Sequence, residues 1–148
     1  MLIRPATSQD LPSWTALRAQ LWPDTAPEVH HDEAASWLTT SPDQTIALVA
    51  ISPETGICAF AEAGLRHDHV NGCDTSPVGF LEGIYVSPDK QKTGLGRRLV
   101  DAVEAWARAR SCRELASDAD LDNHDSIAFH GATGFEETAR VVYFRKQL

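Results

Sequence analysis

Residues 80–99 read F-L-E-G-I-Y-V-S-P-D-K-Q-K-T-G-L-G-R-R-L. The apolar run Phe80–Val86 predicts a β-strand, Ser87-Pro88 ends it, and Gln91–Gly96 opens a helix predicted over Gly94–Arg110. Backbone N–H groups in such a loop and in the first helical turn have no acceptor within the helix, and the helix dipole adds positive potential. The stretch therefore predicts a strand–loop–helix unit that binds an anion such as a pyrophosphate.

The side chains of this loop support the same prediction. Gly94 and Gly96 allow a ligand to approach the backbone closely, and Lys92, Arg97 and Arg98 add formal positive charge. The spacing is neither that of a P-loop, G-x-x-x-x-G-K-[ST], nor that of a dinucleotide fingerprint, G-x-G-x-x-G after a first strand. Both of those nucleotide-binding classes are therefore disfavoured.

The other predicted elements surround this unit in a single domain, residues 1–148. Runs of strands followed by strand–helix–strand units predict a mixed sheet with helices on both faces, an α/β fold. The predicted order is β-α-α-β-β-β-α-β-α-β. The strands besides Phe80–Val86 are Leu2–Ala6, Thr45–Ile51, Ile57–Arg66, Glu114–Ser117 and Val141–Phe144, and the helices besides Gly94–Arg110 are 11–22, Pro27–Thr40 and Asn123–Ala132.

Composition and charge narrow the class of protein. The chain has 148 residues, of which 43% are hydrophobic and 23% are charged, and its formal net charge is −8. An acidic balance argues against a nucleic-acid or anionic-membrane partner, and it suits either a polycationic substrate or simple solubility. The three cysteines, Cys58, Cys73 and Cys112, have no paired spacing, which is typical of reduced thiols. The N-terminus predicts no signal peptide, so we expect a cytoplasmic protein.

Two motifs carry a resemblance to a known superfamily. Gln91–Gly96, Q-K-T-G-L-G, resembles the acetyl-CoA motif [RQ]-x-x-G-x-[GA] of the GNAT N-acetyltransferases, and a second GNAT motif runs from Asn123 through Phe129 to Gly134-Phe135. The resemblance implies acetyl-CoA as cosubstrate, with the loop amides on its pyrophosphate and the strand before the loop along its pantetheine arm. The implied cofactor-binding residues are Ile84, Tyr85, Val86, Gln91, Lys92, Thr93, Gly94, Leu95, Gly96, Arg97 and Asn123.

Three further stretches resemble the aminoglycoside 6'-N-acetyltransferases within that superfamily. They are residues 17–23, L-R-A-Q-L-W-P, residues 66–78, R-H-D-H-V-N-G-C-D-T-S-P-V, and residues 113–118, R-E-L-A-S-D. The resemblance implies a central, mostly antiparallel sheet flanked by helices and a homodimer. It also implies acetylation of the 6'-amine of aminoglycoside antibiotics, which confers resistance.

The resemblance implies a role for four residues, each of which also has a structural interpretation. Trp22 is expected to line the aminoglycoside site, or to lie in the core. Glu82 is expected to bind the ammonium and to act as a base, or to face outward on a half-exposed strand; a buried carboxylate needs a partner. Asp118 is expected to be the second catalytic carboxylate, or a capping residue. His69 is expected to contact substrate, or to lie exposed on its loop.

The expected reaction is direct acetyl transfer in a ternary complex, and one proton must leave the ammonium before attack. Many GNAT members place a tyrosine as general acid seven residues after the motif Asn, where this chain has His130. His130, Tyr143 and solvent all remain candidates for that role. His67-Asp68-His69 lacks a third ligand, and the chemistry needs no metal. A GNAT enzyme for another amine, or a CoA-binding module without activity, remains an alternative.

Overall fold

The computed structural model describes residues 1–148, and its helices and strands follow the predicted order up to residue 132. Each predicted boundary lies within two residues of the observed one. The elements are β1 (Leu2–Pro5), α1 (Leu11–Leu21), α2 (Pro27–Thr39), β2 (Thr45–Ser52), β3 (Gly56–Arg66), β4 (Val78–Val86), α3 (Leu95–Ala109), β5 (Leu115–Ser117) and α4 (His124–Ala132), with short 3-10 turns at Ser8–Asp10 and Pro88–Lys90.

The predicted final strand, Val141–Phe144, was wrong for the single chain. The chain has no regular secondary structure after α4, and Val142 and Phe144 are 78% and 93% exposed. A β-branched and aromatic sequence favours a strand only where another strand offers its backbone groups. In the single chain this segment, which belongs to what we call the C-terminal arm (residues 136–148), pairs with no strand.

The five strands form one sheet in the order β1-β2-β3-β4-β5. The first four are antiparallel neighbours, and β5 runs parallel to β4. Alternation along β2 and β3 buries both faces: Leu48 and Ala61 pack with α3, whereas Val49 and Phe60 pack with α1 and α2. The predicted mixed sheet with helices on both faces is confirmed.

Helix α3 shows why the central part of the chain folds as predicted. Leu95, Leu99, Val103 and Trp106 recur at helical spacing and are all buried, while the charged residues lie on the opposite face. The buried stripe lies against β3 and β4. The loop before α3 is therefore held at the end of β4.

Two irregularities in β4 create an opening in the sheet. Ala63 pairs with Leu81 and Glu62 pairs with Gly83, so Glu82 is an extra residue in a β-bulge. On the other side, β4 pairs with β5 only as far as Leu81 opposite Ser117. Because β5 ends at Ser117, β4 continues from that point to Val86 with one edge unpaired.

None of the helices has both the length and the apolar character required to cross a membrane.

Candidate active site

The loop between β4 and α3 presents a row of free backbone donors. The N–H groups of residues 92–97 donate to no carbonyl and to no side chain of the protein. Lys92 and Gly94 have φ values of 61° and 84°, in the left-handed region that turns successive N–H groups toward one side and forms an anion-binding concavity. No atom lies within 4 Å of a Cβ placed on Gly94, so the space in front of the loop is open. The arrangement fits a pyrophosphate.

Two residues of the same motif also have a structural task. A Cβ on Gly96 would lie 2.7 Å from Cε2 of Phe129, so the glycine lets that ring pack directly on the first turn of α3. Arg97 donates to the carbonyl of Ala132, and Arg98 donates to that of Met1 at 3.3 Å. Sequence reasoning assigned Gly96 and Arg97 to the ligand alone, because contacts between distant residues cannot be read from a local motif.

The unpaired edge of β4 borders this loop. Ile84, Tyr85 and Val86 pair with β3 on one side and have no strand on the other. The carbonyl of Val86 is not free, because it accepts a hydrogen bond from Nε2 of Gln91 at 3.0 Å. The edge therefore offers backbone hydrogen-bonding groups to an extended chain that contains amides, such as the pantetheine arm.

Asn123 is the N-cap of α4. Its Oδ1 accepts a hydrogen bond from the backbone N–H of Ser126 at 3.1 Å, which satisfies one of the free donors at a helix start. The side-chain NH2 donates to no protein group and remains available to a ligand. Its predicted contact with the cofactor stays a prediction.

A cavity of about 410 Å³ lies on the α1–α2 face of the sheet; we call it the acceptor cavity. Trp22 and Glu82, two of the predicted substrate-binding residues, both line it. Its lining residues are Arg18, Trp22, Glu33, Ser36, Trp37, Thr40, Thr45, Glu62 and Glu82. The cavity thus combines two indole rings with three carboxylates, which suits a cationic ligand with apolar ring faces.

Trp22 is fixed from three sides. Its ring packs on Gly83 so closely that a Cβ there would lie 2.5 Å from Cη2. The ring stacks on His30 with centroids 6.3 Å apart, and Cζ of Arg18 lies 4.9 Å from its centroid. The backbone carbonyl of Trp22 also bonds Nε2 of His30 at 3.0 Å. The indole is therefore a rigid wall of the acceptor cavity.

Glu82 is engaged by an arginine that the sequence analysis did not single out. Arg66 at the end of β3 donates to Oε1 of Glu82 at 2.8 Å, and its Cζ lies 3.4 Å above the ring of Phe80. Both charged side chains are partly exposed, so the pair is weak and readily exchanged. Glu82 is therefore paired with a cationic group of the protein itself, and its predicted role at the acceptor stays a prediction.

A buried ion pair forms one wall of the cavity, and sequence reasoning missed it. Arg18 donates to both carboxylate oxygens of Glu62, Trp14 donates to Oε1 of Glu62 at 2.9 Å, and Arg18 also donates to Glu33. Burial raises the pKa of Glu62, while the bonds from Arg18 and Trp14 oppose that rise. A carboxylate within the apolar run Gly56–Arg66 was the available signal.

Asp118 and Glu82 occupy equivalent positions on neighbouring strands. Glu82 follows Leu81 and Asp118 follows Ser117, and Leu81 and Ser117 form the last pair between β4 and β5. Asp118 is nevertheless exposed and lines a second, wider cavity between β5, α4 and the C-terminal arm, whereas Glu82 lines the acceptor cavity. His69 is exposed on the loop 67–77 and lines neither cavity. The predicted roles of Asp118 and His69 stay predictions.

His130 is held between α4 and β5. Nδ1 lies 2.7 Å from the carbonyl of Ser126, Nε2 lies 2.8 Å from Oγ of Ser117, and that hydroxyl donates to the carbonyl of Leu81 at 3.0 Å. A carbonyl only accepts, so Nδ1 donates to Ser126, and Nε2 shares a hydrogen bond with the hydroxyl of Ser117. Tyr143, the other candidate acid, is 87% exposed on the arm.

No group of three His, Cys, Asp or Glu side chains is placed to hold a metal ion.

Comparison with known proteins identifies the family. The sequence pattern of the Acetyltransferase (GNAT) family matches residues 11–135. The chain is 48% identical to an aminoglycoside N(6')-acetyltransferase type 1 of Serratia marcescens, over 94% of both chains. It is 47% identical to a protein of the same name from Acinetobacter genomosp. 13, over 100% of this chain and 99% of the other.

Solved structures agree. The crystal structure of an apo aminoglycoside 6'-N-acetyltransferase from Acinetobacter haemolyticus matches with a TM-score of 0.93 and 42% identity, over 100% of this chain and 99% of that one. A structure of AAC(6')-Iy in complex with the bisubstrate analog CoA-S-monomethyl-acetylneamine matches with a TM-score of 0.90 and 40% identity, over 99% and 98% of the two chains. The chain belongs to the GNAT family of acetyltransferases, among the aminoglycoside N(6')-acetyltransferases.

Proposed function

We propose that this chain transfers the acetyl group of acetyl-CoA to the 6'-amine of aminoglycosides. The observation that carries the proposal is the unpaired edge of β4 beyond Leu81, with the free N–H groups of residues 92–97 at one end and the acceptor cavity on the α1–α2 face. The family and the bisubstrate complex of a 40% identical relative support the same reaction. Acetylation removes a positive charge from the aminoglycoside, which is how the reaction would confer resistance.

Acetyl-CoA is held by groups that the chain already presents. The N–H groups of residues 92–97, with Lys92 beside them, take the pyrophosphate. The unpaired edge of β4 takes the pantetheine amides, and Asn123 adds a side-chain donor. Backbone N–H groups of that edge near Val86 polarise the thioester carbonyl and stabilise the oxyanion that forms on attack.

The acceptor amine is bound and deprotonated by carboxylates. Glu82 holds the ammonium in place of Arg66, Trp22 packs on the sugar ring, and Asp118 approaches from β5 as the second carboxylate. One ammonium proton passes to Glu82, directly or through a water molecule. The amine lone pair then attacks the thioester carbon and the C–S bond breaks. The new amide nitrogen loses its second proton to solvent, and the CoA thiolate takes a proton from His130, Tyr143 or solvent.

The reaction is tested by following release of the CoA thiol with kanamycin or tobramycin as acceptor. A derivative of the same antibiotic that lacks the 6'-amine is the matched control. We expect turnover with the antibiotic and none with the derivative. Turnover with polyamines or peptides but with no aminoglycoside would assign the chain to another amine, and CoA binding without any turnover would indicate a module without activity.

The C-terminal arm supports a homodimer as the working unit. Val141, Val142, Tyr143 and Phe144 form an exposed apolar segment, and β5 is an edge strand paired only with β4. An exposed strand-forming arm and an open sheet edge on the same chain are complementary between two copies. Light scattering should give twice the 16.2 kDa of one chain, and Val142→Lys with Phe144→Lys should give a monomer.

We expect the enzyme to act in the cytoplasm, where acetyl-CoA is made and the free thiols Cys58, Cys73 and Cys112 stay reduced. Fractionation of cells that express the chain tests this expectation, since activity in a periplasmic fraction would contradict it.

A further inference from the structure

We infer that Glu33 is a further acceptor-binding residue, which takes a second ammonium group of a polycationic aminosugar while Glu82 takes the reacting one. The inference rests on the proposed function. It assigns to Glu33 a role in choosing acceptors that carry several amines.

Helix α2 directs one of its faces into the acceptor cavity. Glu33, Ser36 and Trp37 line the cavity, and their spacing of three and four residues places them on one side of the helix. Thr40, the C-cap residue of α2, lines it as well. Glu33 is half-exposed. Its Oε2 accepts a hydrogen bond from Arg18, and its Oε1 accepts none from the protein. One carboxylate oxygen is therefore free to accept from a ligand.

The position of that carboxylate is fixed by a guanidinium that cannot move away. The side chains of Arg18 and Glu62 are each only 2% exposed, and Arg18 donates to both oxygens of Glu62. The carboxylate of Glu33 is therefore held by a donor that is itself fixed in the core.

The charges of the cavity do not balance. Three carboxylates and one guanidinium line it. Arg18 is matched by its two-point contact with buried Glu62. Arg66 does not line the cavity and pairs only weakly with Glu82, so Glu33 and Glu82 are in excess among the lining residues. These two carboxylates come from different walls, α2 and β4. A ligand that neutralises both must carry at least two cationic groups.

The indole of Trp37 adds a reason for a cation at this wall. Trp37 lies one helical turn from Glu33 and lines the same cavity. An ammonium group beside an aromatic face and a carboxylate is stabilised by both. Arg66 already occupies Glu82, whereas no mobile cation occupies Glu33, since Arg18 is fixed.

Glu33→Gln tests the inference, with Asp32→Asn as the matched control. Asp32 is the neighbouring residue of α2, its side chain is 85% exposed beside His31, and it does not line the cavity. Both variants remove one negative charge. Two acceptors are compared by thiol release: neamine, which carries several amines, and 6-amino-6-deoxyglucose, which carries only the reacting one.

We expect Glu33→Gln to raise the KM for neamine by about tenfold, because the variant loses one charge-assisted hydrogen bond to the acceptor. The kcat, the KM for the monoamine and the KM for acetyl-CoA should stay unchanged, and Asp32→Asn should change none of these values. An equal loss with both acceptors, or a fall in kcat, would show a structural role through Arg18 and overturn the inference. An unchanged KM for neamine would overturn it too. No turnover of any aminoglycoside by the unmodified chain would reject the proposed function itself.

Discussion

Replacing Gly83 by alanine tests whether the position of Trp22 controls acceptor binding. The added Cβ would lie 2.5 Å from Cη2 and 3.0 Å from Cζ2 of the indole, while ordinary carbon contacts begin near 3.5 Å. The indole must therefore move by about 1 Å. The stack on His30 and the contact with Arg18 resist that movement. A misplacement of about 1 Å at a binding wall lowers the rate by up to about 100-fold.

The kcat/KM for kanamycin is measured by following thiol release, and the affinity for CoA is measured by calorimetry. We expect Gly83→Ala to lower kcat/KM for the acceptor by about 10- to 100-fold and to leave CoA affinity within about twofold, because the backbone edge of β4 is retained. Gly64→Ala on β3 is the control, since its Cβ would make only ordinary contacts of 3.6 and 3.7 Å. Equal effects of the two substitutions, or no effect of Gly83→Ala, would refute the reasoning.

Two further predictions concern stability. Hydrogen bonds from Arg4 hold the pKa of Asp10 at about 2 rather than 3.8, a difference of ~2.4 kcal/mol that we reduce to about 1–2 kcal/mol because Arg4 is one-third exposed. The pKa of Asp10 is lower in the folded state, so this stabilisation is present above about pH 4 and is lost as pH falls toward 2. Asp10→Asn should therefore lower the free energy of unfolding, measured in urea, by that amount at pH 7 and by almost nothing near pH 2. An equal loss at both pH values would contradict the assignment. Glu62→Ala leaves Arg18 buried without its two-point partner and should lower the free energy of unfolding by about 3–5 kcal/mol. The double variant Arg18→Met, Glu62→Leu should recover part of that loss. A double variant less stable than Glu62→Ala would show that the unpaired guanidinium is not the cause of the loss.

The sequence was sufficient for the parts of the fold that depend on local pattern. Residues 80–99 predicted the end of β4, the loop and the start of α3, because the hydrophobic periodicity changes there from that of a strand to that of a helix and glycines lie at the change. The free N–H groups of that loop follow from the geometry of any helix start. Trp22 and Glu82 were expected at the acceptor and do line one cavity.

The contacts that the sequence did not reveal join residues far apart in the chain. Arg18 and Glu62 are 44 positions apart, and each resembles an ordinary surface charge until α1 is packed on β3. Arg66 reaches Glu82 across the β3–β4 hairpin, where the bulge decides which way Glu82 points. A bulge has no reliable signature in one sequence.

The C-terminal arm illustrates a different limit. Val141–Phe144 has the composition of a strand, but strand formation needs a partner edge and not only a preference. In the single chain these residues pair with no strand, although the outer edge of β5 is open. Whether they pair depends on a second copy, which no pattern within one chain can specify.

We propose that Glu82 and Asp118, at the point where the pairing of β4 with β5 ends, bind and deprotonate the acceptor amine. The most direct test is thiol release from acetyl-CoA with kanamycin for Glu82→Gln and for Asp118→Asn, each beside the affinity for CoA measured by calorimetry. We expect each variant to lose about 100-fold or more in kcat/KM and to bind CoA as the unmodified chain does. Unchanged turnover in both variants would contradict it and place the acceptor amine elsewhere in the fold.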